Sequence, residues 1–474
     1  MSIAYKDHGI PQLVLFSVVV AIIMAFFATG ITPNGTRIVL LIILLVVVVP
    51  LYSEAKQNKL PFINAKTTVL LGVFVWVLFD GIMYRYAIGK FSNETVLNAL
   101  LGIFLFMGMV YLGYSINFPD YLKRILSAAD YGDNFNTNKL SLMLIACFLI
   151  GFLQIILWGG GIGNVISVLA VGGRWVEPWG RGRLGTMTDY MKTVFQLFLM
   201  AAIQLFWFYY RYVKKYSIFL LLAMFALLIS FRSGSRLTLA LVGAPMLVMI
   251  YFNAWMSRNK KVIAGLVILI YVALSVMQLQ LTVRDLPRGT PLGPIILDSF
   301  LSIVRQNPAS YQRDNQFEVL LQYFQLIPST IPHSGEWLIL RPFYHFIPRA
   351  IWANKPEGIT RFFEAQTNTA GQGLTTYAGS IIGDFYICQG WLGIIMAGFL
   401  LGFLAKQFDS LIDMAKRSPA VLLIYSYGIV FLFCSIRSYQ IIYEGWFVFA
   451  ILFYALRGIG LKKTNSSVKD DERL

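Results

Sequence analysis

Charge is what this 474-residue chain has least of. Asp, Glu, Lys and Arg make up only 13% of it, about half of what a soluble protein of this size carries. With 57% hydrophobic residues and a mean hydropathy of +0.67, that shortage excludes a soluble globular class. Cysteine is nearly absent too. Cys147, Cys388 and Cys434 all fall in apolar runs, which excludes a disulfide framework and a thiolate metal site. Only three histidines occur, His8, His333 and His345. There is no HExxH, no paired CxxC, no glycine-rich phosphate or dinucleotide fingerprint and no nucleophile elbow, so neither a metal nor another cofactor is implied. The start "MSIAYKDHGIPQ" has no cleavage-site pattern after its first apolar run, and no cleavable signal is expected.

What the chain does have is apolar runs long enough to cross a bilayer. Twelve are expected, near 10–29, 36–52, 67–87, 95–116, 140–158, 190–210, 216–231, 236–252, 262–281, 385–405, 419–437 and 440–457. The fold expected is therefore all-α and polytopic: a single integral membrane domain over 1–474, with the lipid bilayer as its partner. The connections "SEAKQNKLPFINAK", "RYVKKY" and "WMSRNKK" and the tail "LKKTNSSVKDDERL" are lysine-rich. By the positive-inside rule both termini are cytoplasmic. A smaller outer loop then covers 159–189, and a large one, between the ninth and tenth helices, covers 282–384. In the large loop "FEVLLQYFQLI" has helical spacing, so a helix lying over the membrane surface is expected there.

On this topology the inner side holds fifteen lysines and six arginines, the outer side three lysines and fifteen arginines. The topology rule accounts for the inner set, and for the net charge of +16 without any nucleic-acid partner. It does not account for the outer arginines. A guanidinium fork grips carboxylate or phosphate by two bonds and stays charged, so the outer face reads as built for an anion. In "FRSGSRLTL", Arg232 and Arg236 flank a Ser-Gly-Ser turn at a helix start, where free amides and the helix dipole also favour an anion. Two arginines snorkelling to headgroups is the plain alternative. From the large loop into the tenth expected segment, residues 341–393 carry Arg341, Arg349, Lys355 and Arg361 with His345, Glu357 and Asp384. Glu336 stands just before. Prolines at 342, 348 and 356 hold these groups on short turns. Trp352, Tyr344 and Tyr377 offer flat faces to sugar rings, although an interfacial anchor is the commoner role for such residues. Arg174 and Arg181 of "GGRWVEPWGRGRLG" lie in the smaller outer loop.

"SGSR" opening a helix, a large outer loop ending "IPRAIWANKP", and then "TTYAGSIIGDFYICQGWLG" together resemble the O-antigen polymerase (Wzy-type) family. The resemblance covers roughly residues 160–405, and the residues that carry it include Pro348, Arg349, Trp352, Lys355, Pro356, Ser380, Gly383, Gly390 and Gly393. It implies a GT-C-like glycosyltransferase architecture in a bacterial inner membrane, with the active site on the periplasmic face. The implied reaction is polymerisation of undecaprenyl-pyrophosphate-linked oligosaccharide units, with undecaprenyl pyrophosphate released. A polysaccharide chain-length regulator is left open as a partner. Catalysis without a metal would rest on Arg236, Arg349 and Arg361 at the leaving diphosphate, with His345 as the base. Arg232, Arg341, Lys355, Trp352, Tyr344, Tyr377, Glu336, Glu357, Asp384, Arg174 and Arg181 would serve substrate binding, and Glu336, Glu357 and Asp384 are rival bases. An O-antigen ligase, using the same donor with another acceptor, is the alternative. A lipid-linked glycan flippase comes third.

Overall fold

The computed structural model describes residues 63–79, 90–128, 136–173, 187–213, 218–232, 236–306, 316–345, 347–349, 351–356, 358–367 and 379–459. Among them there is no β-strand, only an isolated bridge between Val171 and Pro291. The main helices are α1 (Ala65–Val73, continued by a π-helical turn Phe74–Leu78), α2 (Asn93–Ser115), α3 (Thr137–Trp158), α4 (Met187–Val213), α5 (Ile218–Arg232) and α6 (Arg236–Met256). They continue with α7 (Lys260–Asp285), α8 (Gly293–Arg305), α9 (Gln316–Leu326), α10 (Ser380–Asp409), α11 (Pro419–Ser435) and α12 (Gln440–Ile459). Seven of the described helices are long and apolar enough to cross a membrane, and three apolar ones, at Ala65–Leu78, Ile218–Phe231 and Pro419–Ser435, are shorter. The chain is a helical membrane protein. Expected segments 10–29 and 36–52 lie outside the described residues.

Helix starts follow local chemistry. Ser92, Asn136, Asn259 and Ser418 each turn a side-chain oxygen onto free amides in the first turn of α2, α3, α7 and α11, which takes up donors that have no partner within the helix. Pro245 lies inside α6 and cannot donate to the carbonyl of Leu241. The buried Gln204 of α4 takes its place, donating its amide to Leu241 O at 3.0 Å and Val242 O at 2.7 Å. In an apolar surrounding such a carbonyl must find a donor inside the protein.

α2 and α10 cross at close range. A Cβ added at Gly402 would stand 2.1 Å from the carbonyl oxygen of Val110, at Gly398 2.4 Å from that of Phe106, and at Gly113 2.3 Å from that of Phe399. Only missing side chains let the two backbones approach so far, as in small-residue packing of membrane helices.

α10 is not one rod. Gln389 (φ −141°, ψ 17°) and Gly390 (φ 60°, ψ −140°) leave helical geometry. In a straight helix residues 385 and 393 would be about 12 Å apart, yet a Cβ on Gly393 would stand 2.1 Å from the carbonyl oxygen of Phe385. The chain therefore turns a sharp corner at residues 389–390, and it is the part after the corner that packs along α2. α9 forms where "FEVLLQYFQLI" is helical, but it does not lie on the surface. Phe317, Leu320, Leu321, Tyr323 and Phe324 are buried in the main core, and Phe324 packs against Gly102 of α2 and the Tyr386 ring, 4.0 Å between ring centres. Its apolar residues run nearly all round, so burial between helices satisfies them better than one-sided contact with lipid.

Candidate functional site

The corner in α10 positions the site. By breaking the helix it deprives the carbonyls of Ile387 and Cys388 of their donors four residues on. The amides of Ser334 (3.0 Å) and Gly335 (3.1 Å) take those carbonyls, and His333 Nδ1 meets Tyr386 O at 3.0 Å. Gly335 sits at φ +68°, a conformation suited to glycine. The next residue is Glu336, so its backbone is stitched to the corner.

Glu336 and Arg341 form an ion pair whose side chains are each 6% exposed. Arg341 Nη1 donates to both carboxylate oxygens, at 2.7 and 2.9 Å, and the Tyr344 hydroxyl donates to Oε1 at 2.5 Å. The Arg341 guanidinium lies 5.8 Å from the centre of the Tyr443 ring of α12. One turn on, the His345 ring lies tilted over the same tyrosine, 4.1 Å between centres, and edge-on to Tyr190 of α4 at 5.9 Å. Lys355 is buried, and its ammonium donates to Tyr190 Oη at 2.7 Å, to Ile347 O at 3.0 Å and to His345 O. Those acceptors use all three of its donors. Lys355 thus ties the 344–356 turns to α4 from behind the site. Arg349 folds back on the same turns, reaching Pro356 O at 3.3 Å and Ala353 O at 3.5 Å. Trp352 stands 38% exposed at the rim, edge-on to Tyr344 at 5.5 Å.

Charge and burial set the protonation. Burial, then Lys355 and Arg341, push the His345 imidazole down to about 3. The ring is neutral at pH 7 and too weakly basic to take a hydroxyl proton well. Burial, then Arg341 and Arg349, lower the Lys355 ammonium to about 8. Burial and the bond to Glu336 raise the Tyr344 phenol, which stays protonated. Asp384 is occupied elsewhere. Its Oδ2 accepts the amide of Tyr439 at 2.8 Å and the hydroxyl of Ser438 at 3.2 Å, which fastens the α11–α12 turn to the first turn of α10.

Of the residues expected from sequence, the structure therefore brings together Glu336, Arg341, Tyr344, His345 and Lys355, with Arg349 and Trp352 beside them and Asp384 at the adjoining turn. Arg236 opens α6, half-buried. Arg174, Arg181, Glu357 and Tyr377 lie outside the described residues, and so do the side chains of Arg232 and Arg361. Sequence reasoning missed Tyr190 and Tyr443. Tyr190 stands in the first turn of the apolar helix that follows the smaller outer loop, a position that could have drawn attention to it; Tyr443 lies in the first turn of α12, and nothing in the sequence analysis pointed there.

Residues 311–456 match a domain of unknown function (DUF8712). The match covers less than half of the chain but spans the whole Glu336–Lys355 segment, the corner in α10 and Tyr443. Tyr190 lies outside it. No characterised protein and no solved structure matches the chain.

The arrangement suits one chemical task. Arg341, Lys355 and Arg349 outnumber the carboxylate of Glu336, so the end of the bundle where α4 and α12 begin has an excess of positive charge next to a buried carboxylate.

Proposed function

We propose that the chain polymerises polyprenyl-pyrophosphate-linked oligosaccharide units, as the undecaprenyl-linked units of the O-antigen polymerases are joined. In this reading the architecture is GT-C-like, and the site end faces the periplasm of a bacterial inner membrane. The observation that carries it is the Glu336–Arg341 pair: a guanidinium held by two bonds on a buried carboxylate, with cations close by and aromatic edges at the rim. An acceptor hydroxyl attacks C1 of the donor sugar. The bond from C1 to the diphosphate oxygen breaks, its electron pair leaves with the diphosphate, and the hydroxyl proton must go to a base.

Arg341 would move from Glu336 to the developing diphosphate charge and stabilise it there by charge-assisted hydrogen bonds. That exchange frees the Glu336 carboxylate to take the proton. His345 is assigned no proton transfer and instead fills space between Tyr190 and Tyr443. Arg349, Arg236 and Arg361 remain candidates for diphosphate contacts, and Trp352 and Tyr344 for contacts to sugar rings.

The decisive assay gives the purified protein one synthetic lipid-linked repeat unit and no other acceptor. A ladder of products is expected, and Arg349→Ala or Arg236→Ala should leave single units. No product until a different lipid acceptor is added would make the protein a ligase. Unchanged substrate crossing the bilayer would make it a transporter.

A further inference from the structure

α8 lies where a connecting loop has no reason to be. The Tyr271 hydroxyl, in the middle of α7, donates to the carbonyl oxygen of Val304 near the end of α8. Leu292 and Ile303 share a buried cluster with Leu279 and Val283 of α7. These contacts run in opposite order along the two helices, so α8 descends antiparallel to α7. Gln280 marks the depth at which the chain turns over, because its amide donates at 2.7 Å to Phe231 O in the last turn of α5. Tyr271 lies nine residues below that level, about 14 Å along the helix, close to half of a hydrocarbon core about 30 Å thick. At that depth the end carbonyls of a helix need donors from the protein. Tyr271 supplies one to Val304, and the amide of Gln306 closes on Ser302 O (3.1 Å) and Ile303 O (3.0 Å).

The free surface of α8 has two faces. Ile296, Leu297 and Leu301 are 36%, 62% and 41% exposed. Asp298, Ser302 and Arg305 are exposed as well, and their spacing of four and three residues stacks them in one stripe. A carboxylate and a guanidinium exposed at membrane depth are costly against acyl chains and normally line water or a polar path. We propose that α8 is a re-entrant half-span, and that its Asp298–Ser302–Arg305 stripe forms a hydrated track for the polar headgroup of a membrane lipid whose tails lie against Leu297 and Leu301. A polar stripe beside an apolar one matches an amphiphile moving sideways between bilayer and protein. The proposal stands on the packing of α8 and does not depend on the chemistry assigned to Glu336 and Arg341.

The test uses the full chain in vesicles of phosphatidylcholine and phosphatidylglycerol, with single cysteines at Leu297→Cys, Asp298→Cys, Ser302→Cys and Arg305→Cys; the native cysteines are buried. A charged, membrane-impermeant thiol reagent on the site side should modify positions 298, 302 and 305 at least tenfold faster than 297. A bimane on residue 302 should be quenched more by headgroup-nitroxide lipid than by acyl-chain nitroxide, and a bimane on 297 the reverse. If 302 and 305 are as protected as 297, there is no hydrated track. Fast modification at all four positions would put α8 on the membrane surface, and quenching of 302 by acyl-chain nitroxide alone would put tails where headgroups are proposed. Any of these results overturns the inference.

Discussion

Two buried carboxylates, one near each end of α10, show what separates scaffold from chemistry. Asp409 ends the helix about 27 Å beyond the corner. Its oxygens accept the backbone amides of Ala65 at 2.7 Å and Lys66 at 3.2 Å, and the hydroxyls of Tyr114 at 3.0 Å and Tyr425 at 3.3 Å. Lys66 lies over the Tyr114 ring at 5.0 Å. Backbone amides at a helix start cannot turn away, so this carboxylate is locked and holds α1, α2, α10 and α11 together. Glu336 is as deeply buried, but it is held by side chains, Arg341 and Tyr344, on one short segment. Side-chain partners of this kind exchange by rotation about single bonds, which backbone amides within a helix cannot do. A carboxylate bound by backbone is architecture, whereas one bound by rotatable side chains can take part in an exchange.

The comparison breaks if Glu336 and Asp409 respond alike. Glu336→Gln keeps the shape and should cut product formation by roughly 100-fold or more while the melting temperature in detergent stays within a few degrees. Asp409→Ala should do the opposite. It leaves the amides of Ala65 and Lys66 and the hydroxyls of Tyr114 and Tyr425 without their acceptor at a cost of about 3 kcal/mol, seen as lost folded yield with unchanged turnover per folded molecule. A smaller effect is expected for a conservative change at Arg349, whose guanidinium also reaches the carbonyl oxygens of Ala353 and Pro356. Arg349→Lys should lower turnover by about tenfold, because a lysine cannot span two carbonyls as the fork does.

Acid offers a further distinction. The unfolded chain takes up a proton on His345 near its ordinary value of 6.5, while the folded site refuses it until about 3. Stability should therefore fall as pH drops from 6.5 towards 3, and His345→Phe should remove that part of the slope. The smallest change expected is Gln204→Leu, away from both carboxylates. It strips the donors from Leu241 O and Val242 O at the Pro245 break and should cost about 1 kcal/mol.

Much of the architecture was legible beforehand because hydropathy is a local property. Nine of the expected segments coincide with helices of the structure, with ends shifted by a few residues, the one expected at 67–87 is described as helix as far as residue 79, and the helix in the large loop falls on the residues whose spacing announced it. Its burial was not legible, since "FEVLLQYFQLI" reads the same whether lipid or α2 and α10 cover it. The corner at Gln389–Gly390 was also hidden inside the apolar run expected at 385–405. Around the site, arginine and proline content drew attention to 336–361, but not to which residues meet. His345 looked like a base by type, and only the tertiary structure sets it in a buried place beside two cations that hold its imidazole low. Lys355 looked like a ligand contact, and only its three protein acceptors show that it braces the turns.

Composition and periodicity alone determined that the chain is helical, lives in a membrane and concentrates arginine in two loops, because each of these depends on residues within a turn or two of one another. Tertiary structure decided the corner in α10, the descent of α8 beside α7 and the choice of Arg341 as the partner of Glu336. Each of these rests on a carbonyl, amide or side chain whose counterpart comes from a segment that folding, and not chain neighbourhood, brings alongside.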